Sequence, residues 1–373
     1  MAIFMKEHTI YELLDKIWVS KSFLMREDLS ESVIRTKIIN TIEEKYQNDP
    51  PFRRVLNILL SIMDRVERIV VAPPTSSAGA YLAIWSSIGR PPEDPTVIVA
   101  YDKDSEEYTV NLIIHELTHR WIKMRGIIPN LYDEALAYFM SFKAGFKKFY
   151  ESYIRATINV FSRYRPPREY AKALEYEATT MALPTILADI LDRYVEAGDI
   201  QDFLVSVLRK PQTVFDALKL SANEEELRAV GCLLSIISAD IEKPSWLLDY
   251  GVRVRDVSVE EFLEALRRER VTTCFDEFEY LYENLVALLV LPIASEEYGP
   301  EAARTILREF LKDAKMCGEE VYEYLNNFID YPDPFVGTLY EAAEMEMIPK
   351  NYIDDALREA KKLFSKLTQQ IHQ

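Results

Sequence analysis

Apolar residues near the start of the chain recur at the spacing of a helix, with about 3.6 residues per turn. They are Ile10, Leu13, Leu14, Ile17 and Trp18. The stretch 57–66 continues the same pattern. We therefore predict an N-terminal helical segment over residues 1–65.

A different pattern occupies residues 66–101. The runs ERIVVA (67–72) and TVIVAY (96–101) are short, rich in β-branched residues and bounded by prolines. These features are typical of strands. A third run, AYLAIWS (80–86), follows a turn-like stretch with serines and a glycine. We predict a small sheet in this region.

The helical pattern returns after the second of these runs. Asp104 and Glu107 have the spacing of a capping box, which predicts a helix start, and Gly126 and Pro129 predict its end. Asn130 is then placed to cap a second helix, LYDEALAYFMSFKAGF. From about residue 150 onward the pattern is helical almost throughout, and glycine is scarce, with 10 in the chain.

These patterns together predict a predominantly helical α+β fold. A small mixed sheet packs on the first of the two helices, which carries an HExxH sequence, and a large helical region follows. The predicted divisions are an N-terminal helical segment (1–65), a core with the strands and both helices (66–150), and a helical C-terminal region (151–373).

Composition excludes several classes of function. The chain has 373 residues and a formal net charge of -17, so its surface repels nucleic acid and anionic membranes. No run reaches the roughly 18 apolar residues of a membrane span. Three scattered cysteines form neither a disulfide framework nor a CxxC metal motif, and no secretory signal is apparent. We expect a cytoplasmic protein.

The chemistry is concentrated in HELTH, residues 115–119. His115 and His119 are two of only four histidines, and at i and i+4 they project from the same face of a helix. Two imidazoles so placed can bind one metal ion. Glu116 is offset around the helix, where it can face a metal-bound water and act as the catalytic base.

A catalytic zinc ion needs a third protein ligand and one open position. The candidate is Glu134, near the start of the second helix, because the short connection through Gly126 and Pro129 can turn the chain back. A carboxylate at this position is also favoured by the helix N-terminus.

The stretch HELTHRW…DEALAYF resembles the gluzincin metallopeptidases, which include the thermolysin-like proteases and the gluzincin aminopeptidases. The resemblance implies one Zn2+ per chain, held by His115, His119 and Glu134, with Glu116 as base. Ala137 and Trp121 also fit the aminopeptidase-like pattern. The implied substrate is a peptide or protein.

This chain departs from the pattern in several ways. The 14 residues between His119 and Glu134 are fewer than those families usually have. Ala135 replaces a common Gly, and Tyr138 stands where thermolysin-like enzymes have an Asp beyond the metal ligands. A GxMEN motif is not visible. The resemblance covers about residues 66–150 only.

The mechanism that this resemblance implies also needs a donor for the oxyanion. Related enzymes use Tyr or His, and no further His lies nearby in the chain, so we consider Tyr170 and Tyr176. Glu175 and Glu177 flank Tyr176; they either contact substrate or metal ligands, or simply form a solvated helix face, the interpretation that we favour.

Two alternatives to a peptidase stay open. One is an inactive zinc-binding scaffold or interaction protein, against which the intact Glu116 argues, since a structural site needs no base. The other is a zinc hydrolase that acts on a non-peptide bond, because the chemistry of the activated water is shared.

Overall fold

The computed structural model describes residues 9–19, 30–72, 96–102, 104–171, 174–196, 198–238, 241–271 and 298–310, together with isolated positions from 291 onward. The chain forms two units, each assembled from separate stretches. The first unit comprises Met1–Leu13, Thr41–Arg65 and Val110–Thr273, and the second comprises Leu14–Asn40, Val66–Thr109 and Cys274–Gln373. The division into three consecutive segments, 1–65, 66–150 and 151–373, stays a prediction.

The second unit contains a three-stranded parallel sheet. Its strands are β1 (Ile17–Val19), β2 (Arg68–Ala72) and β3 (Thr96–Ala100), in the order β1-β2-β3. Ile69 and Val71 in the central strand are fully buried, as is Val70 between them, so β2 is covered on both faces. The sequence predicts a mixed sheet, whereas the described strands are all parallel. The long connections 20–67 and 73–95 provide the crossovers that parallel pairing in the three-stranded sheet requires. The predicted strand at 80–86 lies outside the described residues.

The prediction that residues 1–65 are all helical is wrong at β1. Helix α1 (Ile10–Asp15) ends before it, and Ile17 and Trp18 lie in the strand, paired with Ile69 and Val70. β-Branched and aromatic residues suit a strand once a partner strand is present. That partner lies 52 residues away in the chain, so the local periodicity could not reveal it.

The remaining described elements are mainly helices, and the predicted predominantly helical α+β fold is confirmed. The helices are α2 (Glu31–Asn48), α3 (Pro50–Leu60), α4 (Glu106–Lys123), α5 (Asn130–Lys143), α6 (Glu151–Phe161), α7 (Arg168–Ala171), α8 (Glu175–Glu177), α9 (Leu183–Tyr194), α10 (Ile200–Arg209), α11 (Thr213–Ser221), α12 (Glu224–Ile236), α13 (Ser245–Val252), α14 (Val259–Glu269) and α15 (Pro300–Phe310). Single 3-10 turns occupy Met63–Arg65 and Lys147–Phe149, a π-helical turn (Ala178–Ala182) joins α8 to α9, and β4 (Tyr164–Arg165) pairs in parallel with β5 (Arg255–Asp256).

Helix α5 lies in the core of the first unit. Every residue of this helix is buried except Asn130, Glu134 and Lys143. Its main neighbour is α9, and it also packs against α3. A helix that is apolar nearly all round is typical of a protein interior. A glutamate on such a helix is therefore held in a largely dry environment.

Both helices that carry the predicted ligands start close to the predicted positions. Helix α4 begins one residue later than predicted, and α5 begins one residue earlier. Ser105, and not Asp104, caps α4: its Oγ accepts the amide N–H of Tyr108 at 3.1 Å. In α5, Asn130 is the first helical residue, and Pro129 precedes it without any side-chain cap. The φ of Pro129, -55°, is close to the value that the proline ring fixes, so this residue is accommodated before the helix without strain.

The structure also bears on the predictions about membrane spans and cysteines. Within the described residues, no helix has the length and apolar content needed to cross a bilayer. Cys232 is buried and unpaired, as expected for a cysteine that serves as a small apolar side chain.

Candidate metal centre

The two histidines of HELTH lie side by side on α4. His115 and His119 are each only 8% exposed, and their Nε2 atoms are 3.1 Å apart. The neighbouring Leu117 and Thr118 are fully buried, which keeps this part of α4 in the interior. The imidazoles are thus directed toward one point, as the i, i+4 spacing predicts.

Glu134 approaches this point from the first turn and a half of α5. Its Oε2 atom lies 3.4 Å from Nε2 of His115 and 3.5 Å from Nε2 of His119. The three side chains form a group that can hold a metal ion. The structure therefore brings together all three predicted ligands.

The spacing of these three atoms can be compared with the requirements of zinc. Ligand atoms about 2.0 to 2.1 Å from a tetrahedral zinc ion stand about 3.3 to 3.4 Å from one another. The observed separations are 3.1, 3.4 and 3.5 Å. The three residues fit a tetrahedral ion, and the described part of the chain adds no fourth ligand to this group.

Asp133 supports one of the two histidines. Its Oδ1 atom lies 2.9 Å from Nδ1 of His119, on the opposite side of the ring from Nε2, and its side chain is buried. A carboxylate at Nδ1 orients an imidazole ligand and raises its basicity. The sequence analysis does not predict a role for Asp133 at the metal. The feature of the sequence that could have indicated one is the position of this second acidic residue directly before Glu134.

The charges at this centre strongly influence one another. Burial opposes the charged form of His119, but the carboxylates of Glu134 and Asp133 outweigh it and raise the pKa of the imidazole well above its usual value. Burial likewise disfavours charge on Glu134, yet His119 and His115 hold the pKa of this carboxyl well below its usual range. In the absence of a metal ion, the positive charge of protonated His119 therefore offsets the negative charge of the two carboxylates.

Glu116 follows the first ligand directly. It is half-buried, and it lies about 100° around the helix from His115. This placement is compatible with the predicted role at the open metal position. The role itself stays a prediction.

The two tyrosines proposed as oxyanion donors are not joined to the centre by any described contact. Tyr170 lies in the short helix α7, and its amide donates to the carbonyl of Pro167. The side chain of Tyr176 lies outside what the structure describes. Among the described residues, Tyr138 is the tyrosine whose ring contacts a predicted ligand, with its centroid 4.6 Å from that of His115.

The interpretation of Glu175 and Glu177 as a solvated helix face is wrong for Glu177. This residue is only 2% exposed and accepts a hydrogen bond from the hydroxyl of Tyr153. Burial and the nearby Glu177 raise the pKa of Tyr153 well above its usual value, so the phenol is neutral. Glu175 accepts a hydrogen bond from the amide of Ser238 at 2.6 Å and so fixes a loop.

Comparison of the chain with protein-family models, with curated proteins and with solved structures finds no match.

Proposed function

We propose that the protein is a zinc-dependent metallopeptidase of the gluzincin type, with His115, His119 and Glu134 as ligands and Glu116 as base. The observation that carries the proposal is the triangle of ligand atoms, with separations of 3.1 to 3.5 Å. The HExxH motif and the downstream Glu support the assignment independently of that geometry.

The donor set favours zinc. Two imidazoles and one carboxylate are a ligand set of known catalytic zinc sites, whereas Mg2+ and Ca2+ prefer oxygen ligands throughout. A bound zinc ion would lower the pKa of a water to about 7 and polarise a scissile carbonyl. The chain supplies the rest of the chemistry.

Glu116, Asp133 and the two histidines have distinct roles in the proposed reaction. Glu116 takes a proton from the attacking water and delivers it to the leaving amine. Asp133 holds His119 with Nε2 directed into the site. The low exposure of the histidines keeps bulk water away from their rings, which would strengthen the interaction between a bound metal ion and these ligands.

A catalytic site explains these features better than a scaffold does. Structural zinc sites usually have four protein ligands, and the group described contains three. A scaffold also needs no carboxylate at the position of Glu116. The cytoplasmic location, and the absence of nucleic-acid and membrane partners, stay predictions from charge and composition.

The test combines zinc content with a digest of an unbiased peptide library. Wild type is compared with Glu116→Gln and with Glu151→Gln, which changes an exposed glutamate on α6. We expect one zinc per chain in all three proteins, with cleavage by wild type and Glu151→Gln and loss of cleavage in Glu116→Gln.

Other outcomes separate the alternatives. Zinc without cleavage in any of the three favours the scaffold, unless hydrolysis of esters or other non-peptide bonds is found and is lost in Glu116→Gln. That second result favours the hydrolase of a non-peptide bond. Absence of bound zinc in the wild type contradicts the proposal.

A further inference from the structure

The two histidine ligands are held by different means. His119 has the carboxylate of Asp133 2.9 Å from its Nδ1 atom. Both Nδ1 atoms are buried without a hydrogen bond of good geometry, but among the described residues the Nδ1 atom of His115 has no carboxylate beside it either. Because imidazole χ2 has broad, two-fold preferences, His115 needs something else to hold its ring.

Two described rings pack on His115, that of the neighbouring ligand His119 and that of Tyr138. The rings of His115 and Tyr138 meet edge to face, with centroids 4.6 Å apart and planes at 64°. Tyr138 is 9% exposed and lies one turn after Glu134 on the same face of α5. It therefore touches one ligand and shares its helix face with another.

Tyr138 is in turn supported by Tyr150, which lies directly before α6. The ring of Tyr150 packs against it, with centroids 5.2 Å apart and planes at 78°. The hydroxyl of Tyr150 accepts a 2.7 Å hydrogen bond from Nδ2 of Asn111, which lies one turn before His115 on α4. Three contacts thus link Asn111, Tyr150, Tyr138 and His115 in a chain that begins and ends on α4, here named the Tyr138 clamp.

We infer that the Tyr138 clamp fixes the imidazole of His115 and so sets the ligand geometry before a metal enters, with Tyr138 as a positioning residue. The inference rests on the metal centre of the proposed function and extends it. Edge-to-face packing constrains both the tilt and the rotation of a ring. The inference assigns this role to the aromatic ring of Tyr138, because the ring is the group in contact with His115.

This role differs from that of an ordinary core residue. A core residue affects the stability of the whole unit, whereas a positioning residue affects metal affinity more than stability. Phe139 provides the matched control, because it is the next residue on α5, is fully buried and packs on Phe203 at 5.5 Å between centroids. No described ring contact joins it to a ligand.

The experiment compares wild type, Tyr138→Phe, Tyr138→Leu and Phe139→Leu. Zinc Kd is measured by competition with a chromophoric chelator, and Tm is measured on the metal-free proteins. We expect Tyr138→Leu to raise Kd about 10- to 100-fold, as other groups that orient metal ligands do. Tyr138→Phe is expected to bind zinc as wild type does, and Phe139→Leu to lower Tm without raising Kd.

A second measurement needs no metal. In the metal-free wild type, NMR of 15N-labelled histidine is expected to show one ordered His115 environment, which broadens or splits in Tyr138→Leu but not in Phe139→Leu. Should Tyr138→Leu not fold, Tyr150→Leu removes the ring behind Tyr138 and is expected to have the same effects to a smaller degree.

The outcomes keep the two proposals apart. A wild type that binds zinc and cleaves peptides, with equal Kd values for Tyr138→Leu and Phe139→Leu, overturns the clamp alone. A rise in Kd for Tyr138→Phe as large as for Tyr138→Leu also overturns it, since the hydroxyl would then be the essential group. A wild type that binds no zinc overturns the proposed function and the clamp together.

Discussion

The Nδ1 atom of His119 lies 2.9 Å from Oδ1 of Asp133, the residue directly before Glu134 in the chain. One helical turn at the start of α5 thus supplies both a candidate ligand and a carboxylate beside a second candidate ligand. Since the carboxylate lies at Nδ1, the opposite nitrogen, Nε2, is directed toward Glu134. Two adjacent acids therefore occupy distinct positions at the candidate metal centre.

Asp133→Asn is expected to weaken zinc binding about 10- to 100-fold. The amide keeps the shape of the side chain but loses the charge that raises the basicity of His119. Zinc Kd by chelator competition measures the effect, and Asp202→Asn, at an exposed position of α10, is the control. Equal Kd values in the two variants would show that Asp133 does not support the ligand.

Zinc binding is expected to release a proton from His119 at neutral pH. The raised pKa of His119 keeps the imidazole protonated in the metal-free protein, and a metal ion can bind only the neutral form. Calorimetry of zinc binding in buffers of different ionisation enthalpy counts the protons. Asp133→Asn removes one cause of the raised pKa, so it should release fewer protons at pH 7; an unchanged count in that variant would contradict the assigned cause.

The metal-free protein is expected to lose stability as the pH rises above neutral. A folded-state pKa of His119 above the ordinary 6.5 contributes stability that is fully present below pH 6.5 and disappears as the pH passes the raised value. The lowered pKa of Glu134 acts in the opposite sense: its contribution is present above the ordinary 4.5 and is lost as the pH falls below it.

Both contributions are therefore complete between about pH 4.5 and 6.5. Tm measured from pH 5 to 9 with a chelator present should fall with rising pH more steeply in wild type than in His119→Gln. With zinc bound the trend should reverse, because rising pH removes the proton that competes with the metal. Parallel Tm curves for the two metal-free proteins would argue against the raised pKa.

Gly231 and Gly251 are expected to tolerate no side chain. Helices α12 and α13 cross so closely that a Cβ on Gly231 would lie 2.2 Å from the carbonyl oxygen of Leu247. Gly231→Ala should lower the free energy of unfolding by about 3 kcal/mol, since backbone must move to admit a methyl group. Gly198→Ala, with nothing within 4 Å of the added Cβ, should change it by less than about 0.5 kcal/mol. Chemical denaturation compares the two, and a Gly231→Ala variant as stable as Gly198→Ala would contradict the close crossing.

Part of the candidate site was predictable because it depends on one helix. The i, i+4 spacing of His115 and His119 places both rings on one face of α4 whatever surrounds it. Glu134 was predictable because only a short connection separates the two helices. The predominantly helical α+β class followed from hydrophobic periodicity, which is a local property of the chain.

Other features depend on residues that are distant in the chain. The strand Ile17–Val19 forms because β2 is available to pair with it, although its apolar spacing also suits a helix. Glu177 is buried because Tyr153, from another helix, accompanies it in the interior. The local sequence predicts that Glu177 lies on a solvated helix face, because acidic residues are usually exposed.

The sequence by itself determined that two imidazoles and a nearby carboxylate are available to a metal, since helical spacing and a short connection suffice for that. Only the tertiary structure decided how those ligands are held: Asp133 behind His119, and Tyr138 against His115. The physical reason is that the orientation of a side chain depends on what packs against it, and those contacts arise only when separate helices come together.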